Sequence, residues 1–429
     1  MKTTATKAPR NVLLAIIAAL ACALPLGGCT AATNSSSGSE TTATSQGSAS
    51  THAASNETET GFFTSKINKL IDKDYKQVMK RGYGNLVIPK ELNGIDNSII
   101  PEDAQNTATA LHDAGYTAYF VGGAVRDTVL GATVNDWDIV TDATTDQCTE
   151  LFGDKFSLHY VGTSAYGRVA WSKDGDPVDL APYQEIPESY LGNGNLPEDT
   201  STSLLSDSFE RDLSYNALYY DMFTGDLIDY HGGLHDLRDG ITDTIYKPTI
   251  QFTCNPVSCL RSIRFTARYG FTLSRRVQKA LKNAPEYLEA LPKNAICSNF
   301  AKFFYDGYAT ESLKLLERYD VLEMFMPGLA QSGDKKSYRS ELEKICRELD
   351  NTDLSDRSSD EKAGYALAQL LRPRLEELCD AATFDDAVTQ VIAEQESSME
   401  IKNEEREPLT NALNDMRDSI EQDQLDQAA

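Results

Sequence analysis

The chain has 429 residues, long enough for about two or three domains with sizeable cores. Apolar residues make up 41% of it, as in an ordinary globular protein. The formal net charge is -25. That argues against a protein that holds long nucleic acid through a general positive field, because Lys and Arg contacts to phosphate dominate such affinity.

The N-terminus has the form of a targeting signal. Lys2, Lys7 and Arg10 precede an apolar run over residues 12–26. The run is short for a membrane span. It ends in Leu26-Gly27-Gly28-Cys29, which resembles a bacterial lipobox. The pattern predicts a lipoprotein signal peptide over residues 1–28, cleavage before Cys29 and lipid on its sulfur. The mature chain would then be anchored to a membrane on its extracytoplasmic face, or would be cytoplasmic if translation starts further along. Residues 29–61 are rich in Ser, Thr, Ala, Gly and Asn and are expected to form a flexible tether. Removing residues 1–28 leaves Cys29 and six further cysteines, Cys148, Cys254, Cys259, Cys297, Cys346 and Cys379. None has a C-x-x-C metal spacing, so they are expected to be mostly buried thiols.

Folded structure is expected from residue 62. Apolar periodicity predicts a helix over residues 61–81, led by Phe62, Ile67, Leu70, Ile71 and Val78. A turn-rich stretch follows, with Pro89, Gly94 and Pro101, and then an amphipathic helix over residues 103–114. Next comes the stretch with the most chemistry, YFVGGAVRDTVLGATVNDWD over residues 119–138. A short strand, Tyr119-Phe120-Val121, runs into Gly122-Gly123. Glycines let backbone N–H groups approach phosphate oxygens, and a helix N-terminus beside them favours negative charge. Arg126 and Asp127 open that helix, and Arg126 has the fork that grips a phosphate. Asp136 and Asp138 are expected one residue apart on one strand face. Two carboxylates so placed suit Mg²⁺, which draws its remaining ligands from substrate phosphates.

Thr144 is the expected N-cap of a helix over residues 144–152. Strands are predicted at 158–161, 168–171 and 177–181, the last carrying Asp179. The polar, glycine-bearing insert over residues 186–206 is expected to be a mobile loop. Asp212 and Asn216 fall at i,i+4 spacing, which on a helix would let one ligand touch both. Residues 226–240 suggest a structural turn, in which His231 and His235 are polar turn residues rather than ligands. Arg261, Arg264 and Arg268 form a stripe at helical spacing. That stripe would serve a triphosphate or pair with acids elsewhere in the fold. From residue 335 the pattern is helical and acidic.

These stretches together resemble the poly(A) polymerase and CCA-adding tRNA nucleotidyltransferase family. More narrowly, they resemble the bacterial class II enzymes of the DNA polymerase β superfamily, on the poly(A) polymerase-like branch. The head motif is Gly122-Gly123-x-x-Arg126-Asp127 followed by Asp136-x-Asp138. Arg211, Asp212 and Asn216 match a second motif that meets the nucleotide sugar and phosphates in the family, with Glu210 standing where the family has an Arg. Asp229, Gly232, Gly233 and Asp236 match a third. Arg261, Arg264, Phe265, Arg268 and Gly270 match the Leu-Arg-Ala-x-Arg-Phe helix, and residues 295–327 match the neck that follows it.

The resemblance implies an α+β fold: a polymerase β-like head over residues 62–245, a helical neck over 246–330, and a helical, acidic body over 331–429. It implies Mg²⁺-dependent nucleotide transfer from ATP, with CTP as a second substrate, to an RNA 3′ end. Asp136 and Asp138 would hold the metal, with Asp179 as the third catalytic carboxylate. Gly122, Gly123, Arg126, Asp127, Arg211, Asp212, Asn216, Asn255, Arg261 and Arg264 would bind the nucleotide. A second feature, besides Glu210, departs from the pattern. The family reads the base with an Asp and an Arg, and here Asn255 and Ser258 replace them. The alternative is therefore a tethered lipoprotein that keeps the fold and has lost or changed the reaction.

Overall fold

A computed structural model describes residues 61–428 apart from 135, 162–163, 173–175, 187, 191–195, 198 and 333. The predicted signal peptide, Cys29 and nearly all of the tether lie outside the described residues. No helix among the described residues is long and apolar enough to cross a membrane.

The head is built on eight strands: β1 (Leu86–Ile88), β2 (Tyr119–Val121), β3 (Asp138–Thr141), β4 (Phe156–Val161), β5 (Ser164–Val169), β6 (Val178–Pro182), β7 (Leu218–Tyr220) and β8 (Leu227–Asp229). Their spatial order is β1-β8-β7-β2-β3-β6-β5-β4. Only β3 and β6 among these neighbours run parallel, with Ile139 opposite Leu180. Alternation along the strands gives the sheet two different faces. Phe120, Ile139, Leu180, Leu218 and Tyr220 pack under the helices Ser65–Arg81, Glu102–Asp113, Gly123–Leu130 and Gly233–Asp239. Val121, Val140 and Tyr219 form a small cluster on the other face, with Ala181 against it.

Several local expectations hold. Gln147 N–H donates to Thr144 Oγ1 and Thr144 N–H to Gln147 Oε1, a reciprocal cap on the helix Thr145–Phe152. Asp229 closes the turn at the end of β8, accepting from the N–H groups of His231, Gly233 and Leu234 at 2.9, 3.0 and 2.9 Å. Gly233 must be glycine, because a Cβ there would lie 2.4 Å from the Ser214 carbonyl oxygen. All six cysteines among the described residues are free thiols.

Three expectations are corrected. The strand begins at Asp138, so Asp136 lies just ahead of it. Asp212 to Asn216 is not an α-helix but leads into a short 3₁₀ turn, Ser214–Asn216. Asp212 Oδ1 accepts from its own neighbour's N–H, Leu213, at 2.8 Å, and such local bonds compete with helix formation. The insert after β6 is pinned at both ends. Ile186 and Tyr190 are buried, Tyr190 stacks on Tyr246 at 3.7 Å between ring centroids, and Ser203 caps a helix at Leu204–Ser208.

Beyond the head the chain is helical. One hydrophobic core runs from Phe252 to Ile420, so the helices on either side of residue 330 share an interior. The helices Lys293–Ala301 and Ala309–Arg318 flank Gly307, which has φ +81°.

Candidate active site

Asp138 opens β3 beside Val121 of β2. The residue before it, Trp137, is buried on the helix side with its ring edge-on to Phe120 at 5.1 Å. Anchoring Trp137 there turns the flanking aspartates to the opposite face. On β6, Leu180 is buried on the helix side, so Asp179 faces the same way as Asp138. The three carboxyls act on one another. Burial, then Asp179 and Asp136, push Asp138 up to about 7. Burial and Asp179 also raise Asp136, and burial raises Asp179 against the pull of Arg168. Arg168 pairs across the β5–β6 ladder with Asp179, donating from Nε at 2.7 Å. Its strand position opposite Asp179 was the sequence signal for that role.

The glycine turn lies at the end of the adjacent strand. Gly122 has φ +75° and ψ -125°, which side chains rarely adopt, and Gly123 begins the helix. Arg126 on that helix is not poised toward a ligand. It is 4% exposed. Its Nε and Nη2 donate to Asp127 at 2.9 and 3.0 Å, and Nη1 donates to Asn216 Oδ1 at 2.6 Å. Its guanidinium lies over Phe265 and Tyr269 at 4.7 and 5.3 Å. Asp127 is closed off as well, accepting from the Tyr269 hydroxyl at 2.7 Å.

The network continues through Asn216, whose Nδ2 donates to Asp212 Oδ1 at 3.0 Å. Arg261 Nη1 donates to the other oxygen, Oδ2, at 3.1 Å. Burial alone would raise Asp212, but Arg261 and Asn216 outweigh it and hold the carboxyl below its usual range. So Arg126, Asp127, Asp212, Asn216 and Arg261 are brought together, but they bond to one another. They join the glycine-turn helix to the neck helix Val257–Tyr269.

Arg211 is nearer the carboxylates, and its charge lowers Asp138. It is held by Asp207 at 2.8 Å, and Asp207 also accepts from the Tyr219 hydroxyl at 2.8 Å. Beside it, burial and then Asp207 push Glu210 up to about 7. A carboxyl so raised is largely uncharged below neutral pH, which softens the reversal from the family's Arg.

At the positions where the family resemblance expects base reading, Asn255 ends the helix Pro248–Cys254. Its Oδ1 is buried without a hydrogen-bond partner among the described residues. Ser258 donates its hydroxyl to the Asn255 carbonyl at 2.5 Å, so it is occupied locally. Tyr190 acts electrostatically with Cys254, Glu210 and Asp212, which sets the pinned insert near this end of the helix.

Lys302 carries no role in the sequence reading. It follows the helix Lys293–Ala301, and Asp136 acts on its charge from the head. Burial, then Arg264 and Arg261, push its amine down to about 7. A lone lysine in the apolar run Phe300-Ala301-Lys302-Phe303-Phe304 was the available signal.

The Poly A polymerase head domain family matches residues 118–242, from the strand before the glycine turn to the end of the head. Poly(A) polymerase I of Escherichia coli is 31% identical over 282 residues, covering 62% of this chain and 59% of that protein. The chain is similar to poly(A) polymerases and CCA-adding enzymes, and its residues 118–242 match the poly(A) polymerase head domain. The CCA-adding enzyme of Leuconostoc mesenteroides is 31% identical over 228 residues, covering 53% of this chain and 55% of that protein. The chain thus spans under two thirds of the length of either relative. The Thermotoga maritima CCA-adding enzyme, solved with tRNA, superposes with a TM-score of 0.53 at 20% identity, over 78% of this chain and 74% of that one. That likeness shows the fold: a nucleotidyltransferase head followed by helical domains.

Proposed function

We propose that this chain transfers nucleotides from a nucleoside triphosphate to the 3′ end of an RNA. The observation that supports the reading best is the placement of Asp136, Asp138 and Asp179 on one sheet face, beside the glycine turn of a head of this family. Solved CCA-adding enzymes of the same fold include complexes with tRNA, ATP and CTP, which fits ATP or CTP as donor.

The carboxylates fit Mg²⁺. Among the described residues no group of three His, Cys, Asp or Glu side chains could cage an ion alone. Mg²⁺ is content with one or two carboxylates completed by phosphate oxygens and water. Asp136 and Asp138 would hold it, while Arg168 keeps Asp179 in place. Mg²⁺ bound there would neutralise charge on the reacting phosphate. The 3′ hydroxyl oxygen bonds to the α-phosphorus as the bond to pyrophosphate breaks, and the hydroxyl proton passes to solvent water. The residues contribute mainly position and charge. Backbone N–H groups at Gly122 and Gly123 would face the triphosphate, and Arg211 adds positive charge next to Asp138. Labelled ATP and CTP should extend a short RNA in the presence of Mg²⁺. No extension with any of the four nucleotides would overturn the reading and leave the alternative, a member of the fold without the reaction.

Base selectivity should be poor. Asn255 offers neutral hydrogen bonds, and Ser258 is already committed to the backbone. Neutral bonds contribute roughly half of what charge-assisted ones do. The preference between ATP and CTP should fall to about tenfold or less, on the order of 1 kcal/mol. Titration with ATP, CTP, GTP and UTP measures it. A preference of about a hundredfold or more would show that other residues read the base.

We infer further that the chain is a lipoprotein held at a membrane through Cys29. The support is the basic segment, the apolar run and the Leu-Gly-Gly-Cys ending. Cys29→Ser should block lipid attachment and release the protein from the membrane fraction. Wild-type protein found wholly in the soluble cytoplasmic fraction would end this reading.

A further inference from the structure

The helix side of the head holds a cavity that the proposed reaction does not use. Its volume is about 1070 Å³, and four helices end in its wall. The helices Lys90–Asn93, Gly123–Leu130, Gly233–Asp239 and Val257–Tyr269 stop there at Gly94, Gly131, Gly240 and Gly270, with φ of +66°, +67°, +64° and +65°. A Cβ on Gly94, Gly131 or Gly270 would meet nothing within 4 Å, so these ends open onto space. A helix C-terminus carries roughly half a negative charge, and its last carbonyls have no later turn to pair with. The two longer helices, Gly123–Leu130 and Val257–Tyr269, contribute most.

The side chains agree in sign. Asp96 and Asp239 are the acids of the wall, and Arg238 is its one Lys or Arg among the described residues. Arg238 is already held by Asp72 at 2.8 Å and by Asp239 at 2.7 Å. Thr128 Oγ1 is buried in this wall without a hydrogen-bond partner among the described residues. A hydroxyl left so is unfavourable unless something meets it. The aromatic residues of the wall are Phe62, Phe63, Tyr269 and Phe271, and aromatic faces attract cations. The wall therefore repels an anion and suits a cation carried on an apolar body. The residues leading up to Gly61, itself in the wall, include Glu57 and Glu59, so the chain's own preceding segment has the wrong charge to fill it.

We propose that this cavity binds a small organic cation, an amine or guanidinium on an aromatic body. The charge lies among the helix ends and the body lies against the aromatic side chains. The carboxylates face the other side of the sheet, so this ligand does not compete with the nucleotide. It does touch the contact between head and neck, because Tyr269 of the wall donates to Asp127 at 2.7 Å.

The test is a calorimetric titration of the full-length protein with tryptamine, its neutral analogue tryptophol and its anionic analogue indole-3-acetate. Tryptamine should bind at least about tenfold more tightly than tryptophol, and indole-3-acetate should not bind measurably. Thr128→Val keeps the shape and removes the hydroxyl. Asp96→Asn keeps an acceptor for the Ser98 N–H and removes the charge. Each should weaken tryptamine binding about three- to tenfold. Ile99 in the wall is 48% exposed, so Ile99→Lys should fold. It sets a competing cation at the site and should weaken tryptamine at least about tenfold. Melting temperatures near wild type in all three variants separate lost binding from lost folding. A wild type that does not bind tryptamine at millimolar concentration, or that binds indole-3-acetate equally well, overturns the proposal. Tryptamine affinity left unchanged by all three variants overturns it too, because the amine would then bind elsewhere.

Discussion

Asp138→Ala is expected to reduce nucleotide transfer by about a thousandfold or more, to background, because it removes one of two carboxylates fit to hold the metal. Asp136→Ala should behave alike. The fold should survive both changes, since neither side chain is bonded into the core. Asp138 has a further signature in pH. Burial, then Asp179 and Asp136, raise it to about 7 from the usual 3.8. The folded state therefore binds its proton more tightly than the unfolded chain does, and stability declines as pH rises between those values. Asp138→Asn, which cannot ionise, should lack that decline. It should melt a few degrees above wild type at pH 8 in metal-free buffer, and level with it at pH 4. Incorporation of labelled ATP and CTP into a short RNA measures the first effect, and thermal melts at the two pH values the second. Unchanged activity in both alanine variants would show that the metal assignment is wrong.

The carboxylates were legible because their signal is local. Asp-x-Asp after Gly-Gly needs only a strand's alternation to place both acids on one face, and Trp137 enforces it even though the strand starts two residues late. The helix cap at Thr144 and the turn at Asp229 were legible for the same reason. What could not be read was the fate of residues whose partners come from far along the chain. Arg126 looks like a phosphate ligand beside a glycine turn. Its partner Asn216 lies 90 residues on, and Tyr269, which closes Asp127, lies 142 residues on. Asp212 and Asn216 do share a contact as their spacing suggests, but through a side chain that bonds its own backbone rather than through a helix. The insert after β6 is polar in composition, and its described ends are fixed by burial of Ile186, the stack of Tyr190 on Tyr246 and the Ser203 cap.

The placement of Arg126 leads to the second large effect, on stability rather than catalysis. Arg126→Ala would leave Asp127 buried with only the Tyr269 hydroxyl at 2.7 Å and Arg268 at 3.8 Å. It would orphan Asn216 Oδ1, and the Phe265 and Tyr269 rings would lose the cation that lies over them. Breaking a buried pair from one side destabilises by about 3–5 kcal/mol. For a domain of the head's size that is roughly 10 °C in melting temperature. Arg126→Lys keeps the charge but not the fork, and should lose about half as much. Arg126→Ala combined with Asp127→Ala should recover part of the loss, because the stranded carboxylate goes with its partner. Thermal melts of the three variants check the order. Nucleotide titration separates this reading from the one the glycine turn suggests. If Arg126 grips a phosphate, Arg126→Lys weakens ATP binding about tenfold or more while the melting temperature stays near wild type. If it locks the head to the neck helix, melting temperature falls first, and ATP affinity measured well below the melt changes little.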